Sequence, residues 1–132
     1  MPFSQRIVLI DDDEDDRFIF REGFAQTGYQ GELMQFDSGN AFLGYLHTLE
    51  EELPSLILLD LNMPLISGME ILKKIKSNEK WRCIPVVVLT TSRLSEDRDI
   101  AYANGANGFI SKPGDYQDVL KLIRSVIQLW GK

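Results

Sequence analysis

Short, unbroken aliphatic runs separated by segments of helical periodicity restrict this chain's fold more than any other feature. Ile7-Val8-Leu9-Ile10, Leu56-Ile57-Leu58-Leu59 and Val86-Val87-Val88-Leu89 are the clearest, with Phe109-Ile110 and a weaker stretch over residues 32–36 completing the set. A strand covered by helices on both faces reads as such a run, because both of its side-chain rows are buried. The expected strands cover residues 6–10, 32–36, 55–59 and 106–110, with a fourth opened by Pro85, which a strand tolerates at its first residue. The intervening helices are expected at 15–27, 40–49, 68–77, 95–103 and 115–130. Strand and helix therefore alternate throughout, which predicts an α/β fold: a doubly wound, five-stranded parallel sheet flanked by five helices. The flavodoxin-like order 2-1-3-4-5 is expected because it brings the first and third strands together.

Inward stripes support each helix. They are Phe20, Gly23, Phe24 and Thr27 in the first, with Gly28 as its stop, then Phe42, Tyr45, Leu46 and Leu49, then Ile71, Leu72 and Ile75. The fourth helix has only a weak stripe, Ile100 and Ala103, and the last a continuous one through Val119, Leu122, Ile123, Val126, Ile127 and Trp130.

The aliphatic runs share a second property: each ends on or just before a polar group. Asp11 and Asp12 follow the first, Asp60 the third and Thr90 the fourth, and Lys112 comes soon after the fifth. Ligands of open α/β sheets bind in the crevice beyond the carboxyl ends of the strands. With the expected order, strands one and three are neighbours about 4.8 Å apart, so their terminal acids can reach one cation. The fifth strand lies about 10 Å from the third, a gap that only a long side chain covers, and the residue there is lysine.

Three carboxylates, a hydroxyl and an ammonium suit phosphoryl transfer, which depends mainly on positioning and charge neutralisation. Asp60 is the candidate nucleophile, able to take a phosphoryl group as an acyl phosphate. Asp11 and Asp12, with Asp60, are candidate ligands of Mg²⁺, and Asn62 can add its backbone carbonyl. Lys112 and Thr90 would contact the phosphoryl oxygens. Asp11 to Asp16 are six acids in succession. Asp13 through Asp16 read as a solvated helix start, whereas Asp11 and Asp12 stand at the strand end, where packed like charges call for a cation.

Bulk properties exclude other classes. A chain of 132 residues with 44% hydrophobic content fits one domain. A net charge of −6 argues against nucleic-acid binding. No run approaches the ~20 apolar residues of a membrane span, and the N-terminal residues lack signal-peptide character. With a single cysteine, Cys83, expected to pack before the fourth strand, the chain is expected to be cytoplasmic.

The segments Leu9-Ile10-Asp11-Asp12, Leu58-Leu59-Asp60-Leu61-Asn62-Met63-Pro64 with Gly68 after it, Val88-Leu89-Thr90-Thr91-Ser92 and Ser111-Lys112-Pro113 resemble the receiver domain of two-component response regulators. Within that family the chain is similar to the stand-alone regulators that accompany bacterial phytochromes, on Ile84-Pro85 through Ser92, Gly105-Ala106-Asn107 and Leu129-Trp130. The resemblance implies one receiver domain over residues 4–132 without an output domain, a switch rather than an enzyme. It implies a sensor histidine kinase that phosphorylates Asp60 with Mg²⁺ present, and an unidentified downstream protein reached through the face of helix four, strand five and helix five. It further implies a cis peptide at Lys112-Pro113, a switch in which Thr90 moves and Phe109 swings inward, and a homodimer as one use of the last helix.

Three departures from the family pattern stand out: Phe109 in place of tyrosine, Thr91 in place of alanine, and Gly114 loosening the loop to the last helix. A haloacid dehalogenase-type phosphatase would need a second aspartate where Asn62 stands. A flavin carrier would need a phosphate-binding loop where the six acids lie. His47 reads as a surface imidazole and Trp130 as a cover for the base of the last helix.

Overall fold

The computed structural model describes residues 5–49, 52–63, 67–91 and 95–130. Pro64 and Ser92, which belong to the motifs above, lie outside them, as do both chain ends. The elements run β1 (Arg6–Ile10), α1 (Glu14–Thr27), β2 (Glu32–Phe36), α2 (Gly39–Thr48), β3 (Leu56–Asp60), α3 (Gly68–Ser77), β4 (Val86–Thr90), α4 (Ser95–Ala103), β5 (Gly108–Ser111) and α5 (Tyr116–Trp130). All four strand pairings are parallel, and the sheet order is β2-β1-β3-β4-β5, as expected.

Strand alternation sorts the aliphatic residues into two cores. Val8, Ile10, Ile57, Leu59, Val86 and Val88 face Phe42 and Leu46 of α2 and Ile71, Leu72 and Ile75 of α3. Ile7, Leu9, Leu56, Leu58, Val87 and Leu89 face Phe20 and Phe24 of α1 and Val119, Ile123 and Val126 of α5. Successive side chains of a strand point to opposite faces, so one apolar run supplies both layers. Helices α1 and α5 meet closely at Gly23, where a Cβ would collide with the Ile123 side chain.

Local chemistry sets the boundaries that bear on the site. Asp13 caps α1 by accepting hydrogen bonds from the amides of Asp15 and Asp16, and Gly28 ends that helix in the left-handed region at φ 72°. Asp60 is the last residue of β3 rather than the residue after it, because the ladder continues through Leu61 N–H donating to the Leu89 carbonyl, 3.0 Å. Strand β5 starts at Gly108 instead of residue 106. Asn107 Oδ1 occupies the place of a ladder carbonyl, taking hydrogen bonds from Val86 N–H (2.9 Å) and Lys76 Nζ (2.9 Å).

Three expectations need correction. The buried residue of α4 is Ala101, whereas Ile100 is exposed, as is Ala103; a small side chain lets the helix backbone lie close to the start of β5, with Ala106 N–H donating to the Ala101 carbonyl. Cys83 is exposed, and Trp81 and Ile84 fill the core before β4 in its place. Leu120 is buried in α5, whereas Leu122, Ile127 and Trp130 are half-buried at its edges. Among the described residues no helix is long and apolar enough to cross a membrane.

Candidate functional site

Asp11, Asp12 and Asp60 converge beyond the ends of β1 and β3, with a carboxylate oxygen from each lying within 4.8 Å of the others. Backbone pairing positions them. Asp11 continues from β1, with its amide donating to the Phe36 carbonyl (3.1 Å), and Asp60 closes β3 beside β4. Asp11 is fully buried, Asp60 is 2% exposed, and Asp12 is open to solvent. Each buried acid has one oxygen committed locally: Asp11 Oδ1 accepts from Asp13 N–H and Asp60 Oδ1 from Asn62 N–H, both 2.9 Å.

The other oxygens face one ammonium. Lys112 Nζ lies 3.0 Å from Asp11 Oδ2 and 3.3 Å from Asp60 Oδ2. Its backbone amide donates to the Thr90 carbonyl (2.8 Å), which sets the base of the side chain beside β4. Apart from that ammonium, Asp11 Oδ2 meets no donor among the described residues. A fully buried carboxylate oxygen held only by a shared ammonium is left short of partners. With two further carboxylates beside it, the donor set fits a hard divalent cation, which prefers oxygen ligands.

Burial pushes the Asp11 pKa up to about 6, against the lowering influence of the Asp13 amide and the Lys112 ammonium. Burial alone would lower the pKa of Lys112, but the carboxylates of Asp16, Asp11 and Asp60 outweigh it and raise it. The lysine therefore stays charged, whereas burial works against the charge of Asp11.

Thr90 is fully buried at the end of β4, and its hydroxyl donates to Asn62 Oδ1 (3.0 Å). The same oxygen accepts from Thr91 N–H (3.3 Å) and Thr91 Oγ1 (3.4 Å). The Asn62 side chain thus binds the segment after β3 to the end of β4, a role that sequence reasoning missed by assigning Asn62 a backbone carbonyl alone. Gly68 opens α3 directly against the site, and a Cβ there would strike the Asp60 carbonyl oxygen and Leu61 Cα. Phe109 is half-buried and packs on the α2–α3 side of the sheet.

Two further expectations are corrected here. The peptide between Lys112 and Pro113 is trans, since the described residues contain no cis bond. Trans costs an X–Pro bond nothing, and the lysine is aimed by its length and by the carboxylates around it. Asp16, read from sequence as solvated helix start, forms a 2.8 Å ion pair with Lys112. The signal was available: Asp16 precedes Phe20 by four and Gly23 by seven, so it begins the inward stripe of α1.

Comparison with known proteins supplies the context for this geometry. The family model described as response regulator receiver domain matches residues 7–124. The probable methanogenesis regulatory protein FilR2 of Methanothrix harundinacea is 35% identical over 127 residues, covering 94% of this chain and 82% of that protein. The phosphorylated cyanobacterial phytochrome response regulator RcpA superposes with a TM-score of 0.85 at 31% identity, covering 95% of this chain and 92% of that one. The Mn²⁺-bound form of response regulator Rcp1 gives a TM-score of 0.84 at 31% identity, covering 96% and 94%.

Proposed function

The chain belongs to the response regulator receiver family, and from that premise we propose that it is a phosphorylation switch with Asp60 as phosphoacceptor. A carboxylate oxygen of Asp60 attacks the phosphorus of a phosphohistidine on a sensor histidine kinase. The P–O bond to Asp60 forms as the P–N bond breaks, and the imidazole leaves with the bonding pair and is protonated by solvent. Asp11, Asp12, Asp60 and the Asn62 carbonyl would hold Mg²⁺, whose chemistry is to neutralise charge on the phosphoryl oxygens. A divalent cation is supported by the relative Rcp1, solved in a Mn²⁺-bound form, and phosphorylation by the relative RcpA, solved phosphorylated.

The observation that carries this reading is the meeting of Lys112 with Asp11 and Asp60 at the ends of three separate strands. An ammonium already placed between two buried acids can pair with a phosphoryl dianion built on one of them. Thr90 would turn its hydroxyl from Asn62 toward the phosphoryl group, and Phe109 would follow into the space released. The signal would leave by α4, β5 and α5, where Ile100, Tyr102 and Leu129 are exposed. That face would serve an unidentified protein target, and a second copy of the chain is the alternative occupant. The neutral amide at Asn62 disfavours a phosphatase, which needs an acid and base there.

The test is incubation with Mg²⁺ and a small acyl phosphate or phosphoramidate, read by intact mass. Wild-type protein should gain one phosphoryl group that hydroxylamine removes, and Asp60→Asn should gain none. Equal labelling of both proteins would overturn the assignment.

A further inference from the structure

Of the three carboxylates around Lys112, the nearest is not one of the two buried at the strand ends. It is Asp16, on the first turn of α1, which accepts a hydrogen bond from Nζ at 2.8 Å, against 3.0 Å to Asp11 and 3.3 Å to Asp60. Asp16 is one-third exposed and lies outside the group formed by Asp11, Asp12 and Asp60. The acids of the site therefore divide: three converge where a divalent cation fits, and a fourth lies outside that group, against the lysine. Lys112 also lines a cavity of about 260 Å³, together with Asp16, Phe20, Pro113 and Tyr116, which leaves space beside the residue. A flexible four-carbon stem with room beside it takes the position that the surrounding charges select.

We propose that Asp16 is a positioning residue that takes a share of the Lys112 ammonium, so that it is divided among three carboxylates instead of being committed to the two that receive the divalent cation. Without this anchor, Lys112 would settle fully on Asp11 and Asp60 and compete with the cation for both. With it, the lysine stays within reach of the phosphoryl position while the cation's ligands remain available. Asp16 touches neither the reacting atoms nor the cation in this scheme and acts through Lys112. The inference rests on the role assigned above to the Asp11–Asp12–Asp60 group.

The experiment is calorimetric titration of the metal-free protein with Mg²⁺, comparing wild type, Asp16→Asn, Asp16→Glu and Asp15→Asn. Asp15 is the neighbouring exposed acid, so its amide variant imposes the same charge change without touching Lys112. We expect Asp16→Asn to weaken Mg²⁺ binding about tenfold, Asp15→Asn to stay within about twofold, and Asp16→Glu to recover most of the loss. A purely structural role for Asp16 would lower the melting temperature without this selective pattern. Equal weakening by Asp16→Asn and Asp15→Asn would reduce the effect to general charge and overturn the inference. Unchanged or tighter binding by Asp16→Asn would also overturn it. Wild-type protein that bound no Mg²⁺ would instead fail the functional reading itself.

Discussion

The Thr90 hydroxyl donates to the Asn62 side-chain oxygen across 3.0 Å, joining the last residue of β4 to the segment that follows Asp60. Three donors from Thr90 and Thr91 converge on that single oxygen. Removing it withdraws an acceptor from all three at once. Asn62→Ala is therefore expected to destabilise the protein by about 1–2 kcal/mol, lowering the melting temperature by several degrees. Asp60 keeps its backbone partner, so labelling by a small phosphodonor should persist in the variant. Calorimetry and intact mass on the same sample check both parts.

Asp11 connects the site to pH. Its pKa stands at about 6 in the folded protein, raised by burial from an ordinary 3.8. The folded state therefore binds more protons than the unfolded chain between those values, and this group's contribution to stability is lost as pH rises from about 4 through about 6. The cost at neutral pH is on the order of 2–3 kcal/mol for the metal-free protein. Lys112, raised instead, stays charged in folded and unfolded chains alike across that window and adds no slope. Thermal denaturation without metal should show greater stability at pH 5 than the other titrating groups alone would give. Mg²⁺ should stabilise the protein more at pH 7.5 than at pH 5. Asp11→Asn should abolish that metal-dependent difference and raise metal-free stability at pH 7.5. A wild-type response to Mg²⁺ that was equal at both pH values would contradict the role of Asp11.

Gly68 is constrained by space rather than by backbone angle. A methyl group there would meet the Asp60 carbonyl oxygen and Leu61 Cα, both backbone atoms that cannot move aside cheaply. Gly68→Ala is expected to cost about 1–3 kcal/mol and to slow phosphorylation of Asp60 by displacing the end of β3. Chemical denaturation and the labelling time course would show it. Gly44→Ala makes a suitable comparison, because nothing lies within 4 Å of a Cβ built at that exposed helical position, and it should be neutral or stabilising.

Much of the frame was legible before any coordinates. The runs around Ile7, Leu56 and Val86 identified the central strands, and their polar ends marked Asp11, Asp60 and Thr90. These readings succeed because alternation and burial leave a local trace in composition. Boundaries were less legible where a side chain substitutes for backbone, as Asn107 does at the start of β5. The stripe of α4 is not legible in the sequence because Ala101 buries by closeness to the sheet, and a small residue leaves little periodic signal.

Sequence alone determined the alternating strands and helices and the residue types at the strand ends, since these follow from short-range periodicity, while the sheet order follows only once the first and third strands are required to be neighbours. Tertiary structure decided how those side chains share their charges. Lys112 chooses among carboxylates ninety-six, one hundred and one, and fifty-two positions away in the chain, and it lies closest to Asp16. That choice depends on ångström-scale differences in distance and on burial that withholds water from Asp11. Spacing along a chain does not encode either quantity.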